Sequence, residues 1–182
     1  MNLRTTIILA LLSGLPAAAL AADSASGTLL KRGEYVAKTG GCSDCHAPWR
    51  PGPKGRPEPD LSRGLSGHPE DLVMPPAPKL PSGPWVSAGA ATNTAFAGPW
   101  GVSYASNLTP DDETGIGKWR EQDFIATMRT GRHLGVGRPI MPPMPWPAYK
   151  NLSDADLKAL FAYLRNQPAV RNKVPDYQPP AK

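Results

Sequence analysis

The strongest constraint on this chain is one pentapeptide, Cys42-Ser43-Asp44-Cys45-His46. A C-x-x-C-H motif is the attachment signature of c-type haem, in which two thiols bond the porphyrin and the histidine binds its iron. Residues three apart lie on one face of a helical turn, so both sulfur atoms can reach the same edge of the ring. The motif therefore predicts one covalently attached haem c, with Cys42 and Cys45 as the thioether residues and His46 as an axial ligand.

These two cysteines are the only ones in the sequence, and an isolated pair has other uses. In an oxidising compartment such a pair usually forms a structural disulfide. A C-x-x-C redox site of the thioredoxin type requires alternating strands and helices around it, and the sequence near Cys42 offers no such strands. The histidine directly after Cys45 favours haem attachment, and a cofactor-free disulfide oxidoreductase remains an alternative.

The first 21 residues have the features of a secretory signal peptide. Residues 1–4 carry one positive charge, residues 5–15 are mostly apolar, and residues 19–21 form an A-x-A cleavage site. Serine, glycine and proline interrupt the apolar run, whereas an uncleaved membrane anchor needs roughly 20 apolar residues. We therefore predict cleavage near Ala21, a periplasmic protein without a membrane span, and a single domain over residues 22–182.

Composition adds two expectations. With 23 prolines and 18 glycines, long helices throughout the chain are excluded, and a prosthetic group in the middle would supply apolar surface that the side chains lack. The protein without haem is then expected to be poorly folded. The net charge of +5 permits an acidic partner, but no dense Lys/Arg tract with interleaved aromatics is present, so no nucleic acid is predicted.

Hydrophobic periodicity predicts three main helices. The first is expected over residues 27–41, with Thr28 as its N-cap. The second is expected over residues 120–130 and the third over residues 153–166. Between the first two helices, residues 47–91 are rich in proline and glycine and have no sustained period. We favour an ordered irregular wrap over a disordered linker, because scattered apolar side chains offer anchors: Trp49, Leu61, Leu65, Leu72, Val73 and Trp85.

This arrangement resembles the class I c-type cytochromes, in which the helix that carries C-x-x-C-H crosses a C-terminal helix. The stretch over residues 107–149 is similar to haem domains of bacterial exported cytochromes that accompany membrane-bound dehydrogenases and respiratory chains. The resemblance implies an all-α, cytochrome c-like fold with a long irregular insertion at about residues 47–91. It also implies that Gly33 and Tyr35 pack against the last helix, at Phe161, Tyr163 and Leu164.

The second axial ligand has several candidates in the sequence: Met74, Met128, Met141, Met144, His68 and His133. A methionine on a helix face is expected in the core, and a histidine in a glycine-rich loop is expected to be solvated or locally hydrogen-bonded. Met141 and Met144 lie in a rigid proline-rich segment that would pre-position a weak thioether ligand. Related sequences commonly place an apolar residue at the first position and methionine at the second, so the resemblance favours Met144.

The resemblance also suggests neighbours of the haem. A backbone carbonyl is expected to accept the ring N–H of His46, and Pro59 is the candidate. His133 is expected near the haem edge, with Arg132 or Arg138 facing a propionate.

With both axial positions filled, the iron cannot bind a substrate. The chain is therefore predicted to transfer single electrons between transient redox partners, or to a membrane-bound dehydrogenase or oxidase, and not to be an enzyme. Two alternatives keep the haem. One is a cytochrome subunit held permanently in a dehydrogenase or oxidase complex, and the other is a haem enzyme or sensor with an open sixth site.

Overall fold

The computed structural model describes residues 17–180, so the predicted signal peptide lies largely outside the described residues. Within that range there are five α-helices: α1 Ala17–Thr39, α2 Cys42–His46, α3 Glu121–Thr130, α4 Trp146–Tyr149 and α5 Asp154–Arg165. The same range contains five short strands: β1 Trp49–Pro51, β2 Pro57–Pro59, β3 Ala88–Gly89, β4 Ala95–Gly98 and β5 Gly101–Tyr104. None of these helices combines the length and the apolar character needed to cross a membrane.

The prediction of an all-α fold is wrong, because 12% of the structure is strand and 35% is helix. β1 pairs with β2 in one antiparallel sheet, and β3, β4 and β5 form a second antiparallel sheet in that order. The β4–β5 hairpin closes where Gly98 pairs with Gly101, and Gly101 has a φ of 96°. The strands have only two to four residues, which is too short for polar and apolar alternation to reveal them.

α1 crosses α5 at Gly33, as the resemblance implies. A Cβ atom at Gly33 would lie 2.6 Å from the Cβ of Tyr163 and would overlap the carbonyl oxygen of Ala159. Glycine is required because any side chain would push the two helix backbones apart. Tyr35 is 67% exposed, so its predicted packing against α5 is wrong.

The predicted helix boundaries are close at α3 and α5 and inaccurate at α1. α3 ends at Thr130 and is followed by Gly131, whose φ of 64° suits a left-handed C-cap. α5 begins after Ser153, and the Ser153 hydroxyl accepts a hydrogen bond from the backbone N–H of Asp156 at 3.1 Å. α1 begins at Ala17, so Thr28 lies inside the helix rather than at its N-cap.

One hydrophobic cluster holds the three longer helices together. The rings of Phe124 in α3 and Phe161 in α5 pack with their centroids 5.3 Å apart. The buried members of the cluster also include Val36, Ala37, Leu65, Ile116, Met128, Leu157, Leu160 and Leu164. This cluster fixes the positions of α1, α3 and α5 around the space that α2 faces.

Residues 47–91 divide into two parts. The first part contains the β1–β2 hairpin, and there the Trp49 indole N–H donates to the carbonyl of Asp44 at 2.7 Å. Leu65 is buried, as expected of an anchor, whereas Leu61 is exposed. The second part, residues 69–87, has neither helix nor strand, and we call it the strap. Its Val73 and Trp85 are exposed and do not anchor the segment.

Candidate functional site

A cavity of about 590 Å³ lies between α2, β5, α3, α5 and the segment after residue 139. Its wall contains all four residues predicted from the sequence to hold the haem, Cys42, Cys45, His46 and Met144, and it also contains Met141. The volume falls in the range of roughly 300–1,000 Å³ that is typical of cofactor sites. Residues 42–46 and the methionine segment, about 100 positions apart in the sequence, thus line the same cavity.

The C-x-x-C-H motif forms the single-turn helix α2, which puts both cysteines and the histidine on the cavity wall. Gly41 precedes the turn with a φ of 65°, in the left-handed region that glycine adopts without strain. A Cβ atom at Gly41 would also lie 2.7 Å from a carboxylate oxygen of Asp44. The glycine therefore lets the chain reverse from α1 directly into the motif.

His46 is buried, and its Nδ1 lies 2.7 Å from the carbonyl oxygen of Ser106. Because a carbonyl oxygen can only accept a hydrogen bond, Nδ1 carries the proton in this contact, and Nε2 of the neutral ring keeps its lone pair. Burial lowers the pKa of His46, which favours that neutral, metal-binding form.

The acceptor for His46 differs from the prediction, which named the carbonyl of Pro59. Pro59 instead ends β2, where it pairs with Trp49 in the two-stranded sheet. The chain that leaves β5 passes His46, and it brings the Ser106 carbonyl within reach of the ring. No sequence signal could have identified Ser106, since every residue type carries the same backbone carbonyl.

Both cysteines are free thiols in the structure. Burial raises the pKa of the Cys42 thiol to about 11. Burial also raises the pKa of Cys45, and the negative charge of Asp44 adds to the effect. A catalytic C-x-x-C site needs a thiol with a lowered pKa, so this environment disfavours a disulfide oxidoreductase. Two thiols and a neutral imidazole on one cavity fit the donor set of haem c.

The rest of the wall is mixed in character. Its apolar side chains include Leu108, Ile116, Phe124, Met128, Leu160 and Leu164. Cationic or polar side chains at the wall include His133, Arg138 and Lys173. Arg132 is not on the wall, and its guanidinium donates to the carbonyl of Gly137 at 3.0 Å. Of the two arginines considered for a propionate, Arg138 is the one at the cavity, and Lys173 was not anticipated.

His68 is not on the cavity wall, and of the two environments expected for it the structure shows local hydrogen bonding rather than solvation. It is fully buried, with Nδ1 2.9 Å from the hydroxyl of Thr94 and Nε2 3.0 Å from the carbonyl of Leu72. Both ring nitrogens therefore have protein partners. Met74 lies on the strap, away from the cavity.

Tyr149 was also missed by the sequence reasoning. It lies at the end of α4, lines the cavity, and its hydroxyl donates to the carbonyl of Gly40. The segment that carries Met144 is thereby joined to the turn that leads into Cys42.

No family model matches the chain, but individual proteins are similar to it. It is 38% identical over 157 residues to the gluconate 2-dehydrogenase cytochrome c subunit of Pantoea cypripedii, across 86% of this chain and 27% of that protein. It is 31% identical over 158 residues to the cytochrome c subunit of the quinone alcohol dehydrogenase of Gluconobacter oxydans, across 85% of this chain and 25% of that protein. The chain is thus similar to the cytochrome c subunits of two dehydrogenases.

A third similar protein is one of the subunits of the nicotinate dehydrogenase of Pseudomonas putida, with 33% identity over 153 residues, across 84% of this chain and 10% of that protein. The chain thus spans about a tenth to about a quarter of the length of these relatives. The two relatives named as cytochrome c subunits confirm the resemblance to cytochromes that accompany dehydrogenases.

Proposed function

We propose that this chain is a periplasmic electron carrier that works as the cytochrome part of a dehydrogenase complex. Cys42 and Cys45 would hold one haem c through thioether bonds, and His46 and Met144 would bind its iron. The observation that carries this proposal is the convergence of these four residues on one cavity. The bond from His46 to Ser106 supports it, because it leaves Nε2 free for iron.

The chain's own residues would then perform separate tasks. The haem, when bound, supplies the one-electron chemistry. The Ser106 carbonyl fixes the tautomer and the orientation of His46. The proline-rich segment would present Met144, whose thioether would raise the reduction potential of a haem that His46 also binds. The apolar wall excludes water from the ring.

The strap supports the choice of a complex component over an independent shuttle. Val73 is 88% exposed and Trp85 is 74% exposed, and the strap also exposes Val86. Exposed apolar side chains offer a surface for contact with another protein, and tryptophan is enriched among residues that dominate binding energy. We assign this surface to contact with the dehydrogenase.

The haem assignment is tested by the mass of the denatured protein and by the absorption of the oxidised form. We expect a mass increase of one haem and a sulfur-to-iron charge-transfer band. Met144→Ala should abolish the band and allow the reduced protein to bind carbon monoxide. Met141→Ala is the matched control in the same segment and should keep the band. Loss of the band in Met141→Ala alone would transfer the ligand role to Met141, and carbon monoxide binding by the unmodified protein would indicate an open site.

The proposed location has its own test. The N-terminal sequence of the mature protein, isolated from the periplasm, should begin at Ala22 or Asp23. An intact N-terminus on a protein found in the cytoplasm would contradict the proposed location.

A further inference from the structure

The segment that carries Met144 has few means of attachment to the rest of the fold. Proline lacks a backbone N–H, so Pro142, Pro143 and Pro145 cannot donate hydrogen bonds. The N–H of Met144 is used within the segment, 3.3 Å from the carbonyl of Met141. Ile140, just before the prolines, donates to the carbonyl of Gly131 at 2.8 Å. Over residues 141–145, hydrogen bonds to the rest of the fold depend on groups that donate to the carbonyls of the segment.

Ser103 in β5 provides such a donor. Its side chain is buried and lines the cavity, and its hydroxyl oxygen lies 2.5 Å from the carbonyl oxygen of Pro142. This distance lies at the short end of the range for an O–H···O hydrogen bond. The bond joins the three-stranded sheet to the residue two positions before Met144.

Trp100 directs the single proton of the Ser103 hydroxyl. The indole Nε1–H of Trp100 donates to the Ser103 oxygen at 3.2 Å, which occupies one lone pair. Two carbonyl oxygens compete for the hydroxyl proton, that of Pro142 at 2.5 Å and that of Phe96 at 3.4 Å. The shorter contact receives the stronger bond, so Ser103 donates to Pro142.

The support for Ser103 is itself rigid. β5 is paired with β4 along its length, and on its other side Val102 exchanges two backbone hydrogen bonds with Gln178, at 2.8 and 3.0 Å. The Tyr177 hydroxyl donates to the carbonyl of Trp100. Ser103 thus sits on backbone that is held from both sides.

We propose that Ser103 is a positioning residue for the sixth ligand: its hydrogen bond to Pro142 holds the Met144 thioether at the cavity. This inference rests on the proposed function, in which Met144 binds the haem iron. It assigns to the small sheet, which is not part of the expected all-helical frame, the task of keeping the methionine segment in place.

The test compares three variants of the haem-loaded protein: Ser103→Ala, Ser103→Thr and Ser66→Ala. Ser66 is a matched control because it is also buried, yet its hydroxyl oxygen has no hydrogen-bond partner among the described residues. Three quantities are measured. They are the charge-transfer band of the oxidised protein, the pH at which that band is lost as the pH is raised, and the reduction potential.

In Ser103→Ala we expect the band to be lost about one pH unit lower than in the unmodified protein, the size expected for one hydrogen bond. The reduction potential should fall with it, because methionine ligation raises the potential. Ser103→Thr keeps the hydroxyl and should restore both readouts. Ser66→Ala should match the unmodified protein.

Two results would overturn the inference. One is a band and a potential in Ser103→Ala that equal those of the unmodified protein. The other is an equal loss in Ser103→Ala and Ser103→Thr, which would show that the hydroxyl is not responsible.

If Ser103→Ala does not fold, Trp100→Phe replaces it, because it frees the Ser103 hydroxyl from its orienting donor and should lower the pH of band loss. Absence of the band in the unmodified protein would instead refute the proposed Met144 ligation.

Discussion

Two proline-rich segments of this chain, residues 140–147 and the strap at residues 69–87, are placed in opposite ways. In the first, Met141 and Met144 are partly buried and face the cavity, and Pro142 accepts the hydroxyl of Ser103. In the second, most side chains are exposed and Val73 and Trp85 contact solvent. Proline restricts the backbone of both segments in the same way. The different placement of the two segments, one at the cavity and one in solvent, therefore depends on the groups that bond to each of them.

The strap is nevertheless well attached at its start. The buried side chain of Asn172 accepts the N–H of Glu70 at 2.9 Å and donates to the carbonyls of Ser66 and His68 at 2.7 and 2.8 Å. At its other end the chain enters β3. The exposed middle of the strap is therefore fixed to the fold at both of its ends.

The largest effect on the free energy of unfolding is expected from preventing haem attachment. In a Cys42→Ala/Cys45→Ala variant, the segment at residues 140–149 would lose the haem that the proposed function places in the cavity, whereas no residue of the strap lines that cavity. We expect the free energy of unfolding to fall by more than about 4 kcal/mol. Hydrogen exchange should rise strongly at residues 140–149 and little at residues 69–72, which Asn172 holds. Equal increases at both sites would remove the distinction between the two segments.

The next largest effect is expected at Gly131, beside the methionine segment. Its φ is 64°, and a Cβ atom there would lie about 2.5 Å from ring atoms of Trp146. Gly131→Ala should lower the free energy of unfolding by about 3 kcal/mol, from backbone strain together with overpacking.

The matched control is Gly55→Ala in the insertion, since Gly55 has a similar φ of 73° and nothing within 4 Å of a Cβ atom. It should cost only the strain of about 1–2 kcal/mol. Chemical denaturation of both variants measures the difference, and equal losses would show that contact with Trp146 is unimportant.

A smaller effect is expected from pH at the base of the strap. Burial lowers the pKa of His68 below its ordinary 6.5, so the folded state binds this proton less readily than the unfolded state. The stabilisation from neutral His68 is complete above pH 6.5 and declines as pH falls from there through the lowered folded pKa. His68→Gln should flatten the dependence of unfolding free energy on pH between about 7 and 5. An unchanged slope would contradict this role for His68.

The smallest change in stability is expected at the strap surface. Val73→Ser and Trp85→Ser should alter the free energy of unfolding by less than about 0.5 kcal/mol, because these side chains are exposed. Both should reduce the amount of dehydrogenase that co-purifies with the tagged chain and is identified by mass spectrometry. Val136→Ser is the control, since Val136 is 85% exposed, close to the 88% of Val73. Equal recovery from Val73→Ser and Val136→Ser would contradict a contact through the strap.

The sequence predicted those parts of the molecule that depend on local patterns. The ends of α3 and α5 follow from periodicity and from the caps at Gly131 and Ser153. The meeting of α1 and α5 at Gly33 came from the family resemblance, since a glycine on an apolar stripe does not identify its partner. Cys42 and His46 lie on one cavity wall because a single turn brings them together.

The parts that could not be predicted depend on contacts between distant residues. Ser106 and Pro142 act through backbone carbonyls, which have no residue signature. The β4–β5 hairpin is too short to produce a periodic signal. His68 is buried because Thr94 and Leu72 complete its hydrogen bonds, and nothing in its glycine-rich neighbourhood indicates those partners.

The hydrogen bond from Tyr149 to Gly40 has a consequence for electron exchange. It joins the turn before the histidine-bearing helix to the helix after the methionine segment, at a point that does not involve the metal. In the proposed haem site, the protein rather than the iron would then set the separation of His46 and Met144. A metal centre whose geometry is imposed by its surroundings changes shape little when it gains or loses an electron. The reorganisation energy of such a centre is small, which suits a carrier that must pass electrons on quickly.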